Sequence, residues 1–385
     1  MSKKVLILLG ILIIGGFGGL VFDRYFFPYL SATDFFKKHD FLKRSAEETT
    51  IINKTEQVYI REETSINKIS NQASSSVVDI ISYQVQKKDA KLVSKKIVSD
   101  KPTHMNGTGV VVTSDGMIMT YADALNLVDA KYKIITYDGG EYDGELIGVD
   151  SYSNLAFLKI NASNLPVISF GNSTDTKSGE KIIAIGNKLN SNSNKYVAGI
   201  VSSFDSVFNL FGRDISSSEK LEGVFAADFT ANMDIVGGPI VDYSGQVIGI
   251  VGLRKQGSDS TYFGIPSNKV RNVIDRAIKH ELDKNPKLGI YYVVLTRTYA
   301  LTNNIPLSKG VIIYSPSGQQ GLALIDGYPG QKAGLQVNDI ITKVNDKEID
   351  LTNNLADLMY QFKSGEEIEL TVVRETQEMK IKVQL

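Results

Sequence analysis

Residues 229–241 read "FTANMDIVGGPIV", the outline of a loop in which the backbone prepares a nucleophile. Gly237, Gly238 and Pro239 predict a tight turn into a β-hairpin whose tip is "DYSGQ". The residue before the glycine pair is Val236, however, and its side chain has no heteroatom with which to attack a substrate. Because the turn is useful with or without catalysis, the stretch indicates a fold and does not by itself indicate an activity.

The composition of the chain bounds its class. A length of 385 residues suggests two or three domains, and 42% hydrophobic residues with 18 Tyr and 16 Phe can bury a core. A net charge of −1 gives no reason to expect nucleic acid as a partner. The absence of cysteine excludes disulfides, thiolate metal sites and a cysteine nucleophile. Histidine occurs only at His39, His104 and His280.

The N-terminus predicts a membrane anchor. After Lys3 and Lys4 comes "VLILLGILIIGGFGGLVF", residues 5–22, which as a helix would run about 27 Å. The alternative is a cleaved secretory signal, which we disfavour because the apolar run is long and no A-x-A site follows it. The charge bias predicts a single-pass cell membrane protein with a cytoplasmic N-terminus and the bulk of the chain extracytoplasmic.

Along the rest of the chain, the residue pattern changes twice, which marks the expected domain boundaries. From about residue 65 to 266, short β-rich runs recur between turn signals, which is typical of an all-β sandwich or barrel. A helix follows Pro266, and "DKNPK" then predicts a linker. The last hundred residues predict a smaller unit of strands with one amphipathic helix over 353–362. The expected domains are an anchor (1–24), a stalk (25–64), a larger β domain (65–282) and a smaller C-terminal domain (283–385).

Four stretches together resemble a known family. "GTGVVVTSDGMIMTYADAL", "GELIGVDSYSNLAFLKI", "DFTANMDIVGGPIV" and the bracketing "GIVS" with "YFGIPSNKV" occur in the order and spacing of the HtrA/DegP-type trypsin-like serine proteases. The resemblance covers most of residues 55–385. It implies a mainly β fold, with a chymotrypsin-like double six-stranded β-barrel followed by a C-terminal PDZ domain.

The resemblance also places the catalytic triad, and all three positions differ from the family pattern. The histidine of the family falls on Asp123, the aspartate on Asn154 and the serine on Val236. A serine attacks only when an imidazole held by a carboxylate takes its proton. Valine cannot form an acyl-enzyme, aspartate is a weak base at neutral pH, and asparagine cannot stabilise an imidazolium. The chain is therefore expected to be inactive as a protease.

The oxyanion loop departs from the family as well. Its residues would be Asp234, Ile235 and Gly237, and Asp234 stands where the family has a glycine. The resemblance implies an unusual backbone conformation there, with a steric cost for a non-glycine residue. A carboxylate at this place would also repel a developing oxyanion.

Other chemistry at these positions is not favoured. His104 lies in a polar stretch before Asp123 and is interpreted as a solvated loop residue. Asp123 and Asp234 could share a proton or hold a cation across the cleft, but the Asp-Thr/Ser-Gly signature of aspartic proteases is absent. We therefore expect Asp123 and Asp234 to be polar residues without a catalytic role, and we expect no metal and no cofactor.

The C-terminal unit predicts a peptide-binding groove. "KLGIYY" resembles the carboxylate-binding loop of the family's PDZ domain, whose backbone N–H groups capture a peptide C-terminus. The strand after it would accept an added peptide strand, and the 353–362 helix would form the other wall. The expected contacts are Leu288, Gly289, Ile290, Tyr291, Leu355 and Leu358. Alternatively, Leu288, Gly289 and Ile290 are plain strand residues that enter the core.

These expectations combine into a pseudoprotease that binds exposed peptide segments or C-termini of extracytoplasmic proteins, as a scaffold or regulator in protein quality control. The resemblance implies a homotrimer, or a hetero-oligomer with an active paralogue. One alternative is an active serine endopeptidase that degrades envelope proteins. A second alternative is a structural spacer of the envelope.

Overall fold

The computed structural model describes residues 5, 14–19, 21–26, 73–84, 104–186, 194–212, 215–228, 233–256, 259–315, 317–318 and 320–385. The chain divides into two units, Met1–Asn67 and Lys68–Leu385.

The first unit is described only in part. Residues 14–19 are helical, and a π-helical turn, Phe22–Phe26, stacks the rings of its two terminal phenylalanines with centroids 6.3 Å apart. Within the described part of the chain, no helix has the length and apolar character needed to cross a membrane. Most of the expected anchor and nearly all of the expected stalk lie outside the described residues.

The second unit begins with a closed antiparallel barrel of six strands in the order β1-β2-β3-β6-β5-β4. Its strands are β1 (Val77–Gln84), β2 (His104–Val111), β3 (Met117–Tyr121), β4 (Ala130–Ile135), β5 (Glu141–Asp150) and β6 (Leu155–Ile160). Pairing of β1 with both β2 and β4 closes the barrel. Branched and aromatic side chains such as Ile80, Ile118, Ile134 and Leu158 fill the interior.

A second closed barrel follows, in the order β10-β13-β12-β11-β7-β8. Its strands are β7 (Lys181–Gly186), β8 (Lys195–Asn209), β10 (Glu222–Asp228), β11 (Pro239–Asp242), β12 (Val247–Gln256) and β13 (Asp259–Pro266). The two-residue strand β9 (Ser216–Ser217) lies in the connection from β8 to β10 and pairs outside the barrel. The expectation of two six-stranded barrels is confirmed.

Helix α1 (Ser267–Ile278) connects the barrels to the C-terminal unit and buries Val270, Val273 and Ala277 on one face. The strands that follow are β14 (Tyr291–Val294), β15 (Val311–Ile313), β16 (Ile340–Val344), β17 (Lys347–Glu348), β18 (Glu367–Arg374) and β19 (Gln377–Gln384). The helices are α2 (Arg297–Thr302), α3 (Pro329–Lys332) and α4 (Leu355–Tyr360).

The C-terminal strands form one sheet in the order β19-β18-β16-β15-β14-β9, with β17 paired to β16. The strand at one end of this sheet, β9, is contributed by the connection between β8 and β10. The predicted helix over 353–362 is present as α4, two residues shorter at each end. Helices α2 and α3, of six and four residues, are not predicted by the periodicity, because such short helices carry too few turns to show one.

Candidate functional site

The structure brings the turns that carry the three triad positions together at the end of β3. Asp123 lies exposed in a 3₁₀ turn, Ala122–Ala124, directly after that strand. The backbone N–H of Ala122 donates to the carbonyl oxygen of Asn154 at 2.8 Å, which joins the second turn to the first. Asn154 itself has a left-handed backbone, with φ of 60°.

Val236 is completely buried in the third turn. The following residue, Gly237, has φ of 83° and donates its N–H to the carbonyl oxygen of Val251 at 2.9 Å. A Cβ atom on Gly237 would collide with the backbone of Thr108 and the start of Tyr121. Only glycine therefore fits here, whichever side chain precedes it.

The backbone at Asp234 is not strained in the way the family's glycine implies. The residue lies in a 3₁₀ turn, Met233–Ile235, and is not among the described residues with positive φ. Its carbonyl oxygen accepts from Thr108 Oγ1 at 2.5 Å, and its carboxylate pairs with Lys195 Nζ at 3.2 Å. The expected steric cost is therefore wrong, because this right-handed turn needs no glycine. Ile235, next to Asp234, is fully buried.

A tyrosine occupies the space beneath these turns. Tyr121 is 1% exposed, and its ring meets Phe263 edge-on with centroids 6.1 Å apart. Burial raises the pKa of the Tyr121 phenol well above its ordinary value, against the opposing effect of its hydrogen bond with the Asn154 side chain. The side chain at the aspartate position thus serves a phenol that joins the two barrels.

Asp79 is a buried carboxyl in this region that the sequence patterns did not single out. It lies on β1 opposite Thr108, whose hydroxyl holds the Asp234 turn. Burial raises the pKa of Asp79 to about 6, and the negative charge of Asp234 acts in the same direction. Two acidic groups therefore lie near each other at this turn, and Lys195 pairs with one of them.

The histidines do not supply a base in the part of the chain that the structure describes. His104 begins β2 and His280 follows α1, and both side chains are exposed. Among the hydrogen bonds of the described residues, none joins either imidazole to a serine hydroxyl. His39 lies outside the described residues. No group of three His, Asp or Glu side chains arranged to hold a metal occurs within the described ranges.

In the expected peptide-binding loop, the side chains and the backbone N–H groups have different surroundings. The side chains of Leu288 and Ile290 are 1% and 0% exposed and belong to the core of the C-terminal unit, as the alternative interpretation of these residues holds. Between them, Gly289 has φ of 76°. This conformation turns the backbone so that the N–H groups of Gly289 and Ile290 point to a partner outside the sheet.

That partner is the connection from β8 to β10 of the same chain. Gly289 N donates to Glu219 Oε1 at 2.7 Å, and Ile290 N donates to Ser218 Oγ at 3.2 Å. Tyr291, on β14, lies opposite Ser217 of β9.

Helix α4 forms the neighbouring wall. Leu355 and Leu358 are buried in the core of the C-terminal unit. The other side of α4 faces helix α1 and the first barrel through Asp357, whose carboxylate accepts from Lys269 Nζ on α1 and from the Tyr152 hydroxyl in the turn between β5 and β6. The helix is therefore attached to α1 by a largely buried ion pair, and the Tyr360 ring stacks on Tyr152 of the first barrel with centroids 4.1 Å apart.

Comparison with known proteins identifies the family. Residues 107–250 match the trypsin-like peptidase domain and residues 286–385 match the PDZ domain. "Probable periplasmic serine endoprotease DegP-like" of Brucella suis is 31% identical over 282 residues, 72% of this chain and 52% of that protein. "Serine protease Do-like HtrA" of Bacillus subtilis is 28% identical over 336 residues, 83% of this chain and 72% of that protein. The chain belongs to the HtrA-type serine protease family.

The fold agrees with solved members of the HtrA-type family. "HtrA-type protease AlgW with decapeptide" superposes with a TM-score of 0.61 at 22% identity and covers 82% of this chain and 96% of that one. This likeness concerns the fold alone. The chain spans about half the length of the Brucella relative that it matches.

Several residues that shape the site of this HtrA-type chain belong to none of the motifs in its sequence. They are Asp79 and Tyr121 near the assigned triad positions, Glu219 and Asp357 at the C-terminal unit, and Glu222, whose carboxyl accepts from the Tyr292 hydroxyl at 2.8 Å. Each acts through a partner more than twenty residues away in sequence, so no local motif contains it.

Proposed function

We propose that this chain is a pseudoprotease of the HtrA type, which binds exposed peptide segments or C-termini of extracytoplasmic proteins without cleaving them. The observation that carries the proposal is the fully buried alkyl side chain of Val236 at the serine position. A side chain without a heteroatom cannot attack a carbonyl carbon, so no acyl-enzyme forms there.

The neighbouring positions support the same conclusion. Asp123 cannot shuttle a proton to a leaving amine as an imidazole does, and Asn154 hydrogen-bonds a phenol instead of orienting a base. The carboxylates of Asp79 and Asp234 oppose the formation of a negative oxygen in this region. In subtilisin, removal of the whole triad lowers turnover about a millionfold, which sets the scale of the loss expected here.

Peptide binding is supported by the C-terminal unit. The backbone N–H groups of Gly289 and Ile290 lie in the loop before β14 and donate to Glu219 and Ser218 beside the strand β9, which is the arrangement in which a PDZ domain captures a carboxylate and the β-strand that carries it. The solved relative AlgW is described as a protease with a decapeptide. We infer peptides with a free C-terminus as the partner class.

The location and assembly follow from the same proposal. The Brucella relative is described as periplasmic, and the apolar run 5–22 supports a single-pass anchor with the barrels outside the cytoplasm. A homotrimer, or a hetero-oligomer with an active paralogue, would place several grooves near one another.

The competing function is that of an active endopeptidase, as the names of the relatives suggest. Casein, an unfolded protein, distinguishes the possibilities when it is incubated with the purified full chain and followed by gel electrophoresis and by co-sedimentation. We expect casein to be bound and left intact, with trypsin as the positive control for cleavage. Fragments that appear with the purified chain would contradict the proposal. If casein is neither bound nor cleaved, the result would favour a structural spacer.

A further inference from the structure

The edge of the PDZ unit that would receive a peptide is already paired within the chain. Strand β9 runs antiparallel to β14, with Ser216 opposite Tyr292 and Ser217 opposite Tyr291. The backbone N–H of Ser218 extends this pairing to the carbonyl oxygen of Ile290 at 3.2 Å. The segment therefore runs toward the loop around Gly289, in the direction in which a peptide C-terminus would approach it.

A carboxylate completes the likeness to a peptide end. Glu219 follows the paired serines, and its Oε1 accepts from Gly289 N at 2.7 Å and from Ser218 Oγ at 2.7 Å. Its Oε2 accepts from Ser217 Oγ at 3.0 Å. The side chain thus places a carboxylate oxygen where the loop would hold the terminal carboxylate of a separate peptide.

We propose that the segment Ser216–Glu219 is an intramolecular ligand of the PDZ groove, which a peptide C-terminus displaces in order to bind. The proposal rests on the proposed function in so far as it takes the groove to be a peptide site. It adds that the groove of the resting chain is closed by its own second barrel.

The internal ligand is held in shape from the barrel side. Asn209, at the end of β8, has no exposed surface and bonds the loop at both ends. Its Nδ2 donates to the carbonyl oxygens of Ser217 and Lys220 at 3.3 and 3.2 Å, and its Oδ1 accepts from Phe211 N at 2.9 Å. The segment is therefore preorganised, which lowers the entropy that its pairing with β14 costs.

The same segment brings no apolar anchor to the groove. The three side chains next to Glu219 are serines, and their hydroxyls bond to Glu222, Glu219 and Ile290. Backbone bonds give a strand-type ligand its affinity, and apolar side chains in pockets add specificity and strength. A free peptide with an apolar last residue is therefore a suitable competitor.

Hydrogen–deuterium exchange of the full chain tests the internal contact without any peptide. Glu219→Ala removes the acceptor for Gly289 N, and Glu145→Ala, at an exposed position of β5, is the matched control. We expect amide exchange over 287–294 to rise about fivefold or more in the Glu219 variant alone, since a lost bond to a charged acceptor allows β9 to separate from β14. Unchanged exchange in Glu219→Ala would overturn the proposal.

Fluorescence anisotropy then tests displacement. The probe is fluorescein-labelled FGRDISSSV, residues 211–218 followed by valine, and its C-terminal amide is the control. We expect Glu219→Ala to bind the acid form with a Kd about tenfold lower than that of the wild type, because the internal competitor is weakened. Equal, tight binding by both proteins would contradict displacement. If amide exchange is faster in Glu219→Ala but this variant binds neither the acid nor the amide form of the peptide, the internal contact would stand and the peptide-binding function would be overturned.

Discussion

Glu222 is a carboxyl group with no exposed surface, at the junction of the second barrel and the PDZ unit. Its Oε2 accepts from the Tyr292 hydroxyl at 2.8 Å, and its Oε1 accepts from Ser216 Oγ at 3.2 Å. Burial raises the pKa of Glu222 to about 7; these hydrogen bonds and Lys269 lower it, while the charge of Asp357 raises it. The neutral form is therefore favoured in the folded chain relative to the unfolded one.

This carboxyl makes stability depend on pH. Because the pKa of Glu222 is higher in the folded state than the ordinary 4.5, the folded chain binds more protons between these values. Its contribution is fully present below about pH 4.5 and is lost as the pH rises through about 7. We expect the wild type to lose on the order of 3 kcal/mol more unfolding free energy than Glu222→Gln between about pH 4 and pH 8.

Urea unfolding of both proteins at each pH gives that difference. The isosteric glutamine cannot ionise, and Asp79, whose pKa is raised to about 6, titrates equally in both. Parallel pH profiles of the two proteins would show that Glu222 does not titrate in this range.

Gly289 gives a second residue-scale prediction. Its φ of 76° disfavours any side chain, and a Cβ atom there would lie 2.6 Å from Cγ of Tyr328. Gly334 has a similar φ of 84° but no atom within 4 Å of such a Cβ. We expect Gly334→Ala to cost about 1 kcal/mol of unfolding free energy from backbone strain, and Gly289→Ala to cost about 2 kcal/mol more from crowding. Equal losses in thermal or urea unfolding would refute the crowding.

At the scale of elements, one arginine adds to the Lys269–Asp357 ion pair that links α1 and α4. Arg276 donates from Nη2 to the carbonyl oxygens of Tyr360 and Phe362 at 2.7 and 2.8 Å. Its guanidinium also lies 4.4 Å from the centroid of the Tyr360 ring. A cation at the C-terminal carbonyls of a helix satisfies acceptors that the helix leaves free. The contact therefore fixes the PDZ helix α4 against α1.

Replacing Arg276 should loosen this attachment. In Arg276→Ala the two carbonyl oxygens lose their donor and the Tyr360 ring loses its cation, so we expect cleavage by added trypsin within 279–287 to become about tenfold faster. Arg271→Ala is the control, since Arg271 lies on the same helix but bonds Phe170 and Gly171 in the barrel. A cleavage rate in this linker that matches the control would argue against the role of Arg276.

The elements also show how far the sequence predicts the structure. The glycine turn at 237–238 and the apolar runs of strands such as β1 predict the barrels, because turn chemistry and burial are local properties. The loop 287–290 is also recognisable from its apolar–Gly–apolar pattern. The pairing of β9 with β14 is not predictable in this way, since "SSSE" has no apolar periodicity and its partner lies some seventy residues away.

For the whole molecule, both barrels are closed around the positions that the family resemblance assigns to the triad. Val236 and Ile235 are fully buried, and Asn154 contributes a hydrogen bond to a core tyrosine, so these side chains serve packing. The core and the turns carry the stability of the fold, and none of them requires a reactive group. The positions of the triad residues are readable from the sequence, whereas their partners in the fold are not.

The most direct test of inactivity is covalent labelling with a serine-directed fluorophosphonate, mapped by mass spectrometry on the purified full chain. The account predicts no adduct on any serine, with trypsin labelled in parallel. A stoichiometric adduct on one serine, abolished by replacing that serine with alanine, would contradict it.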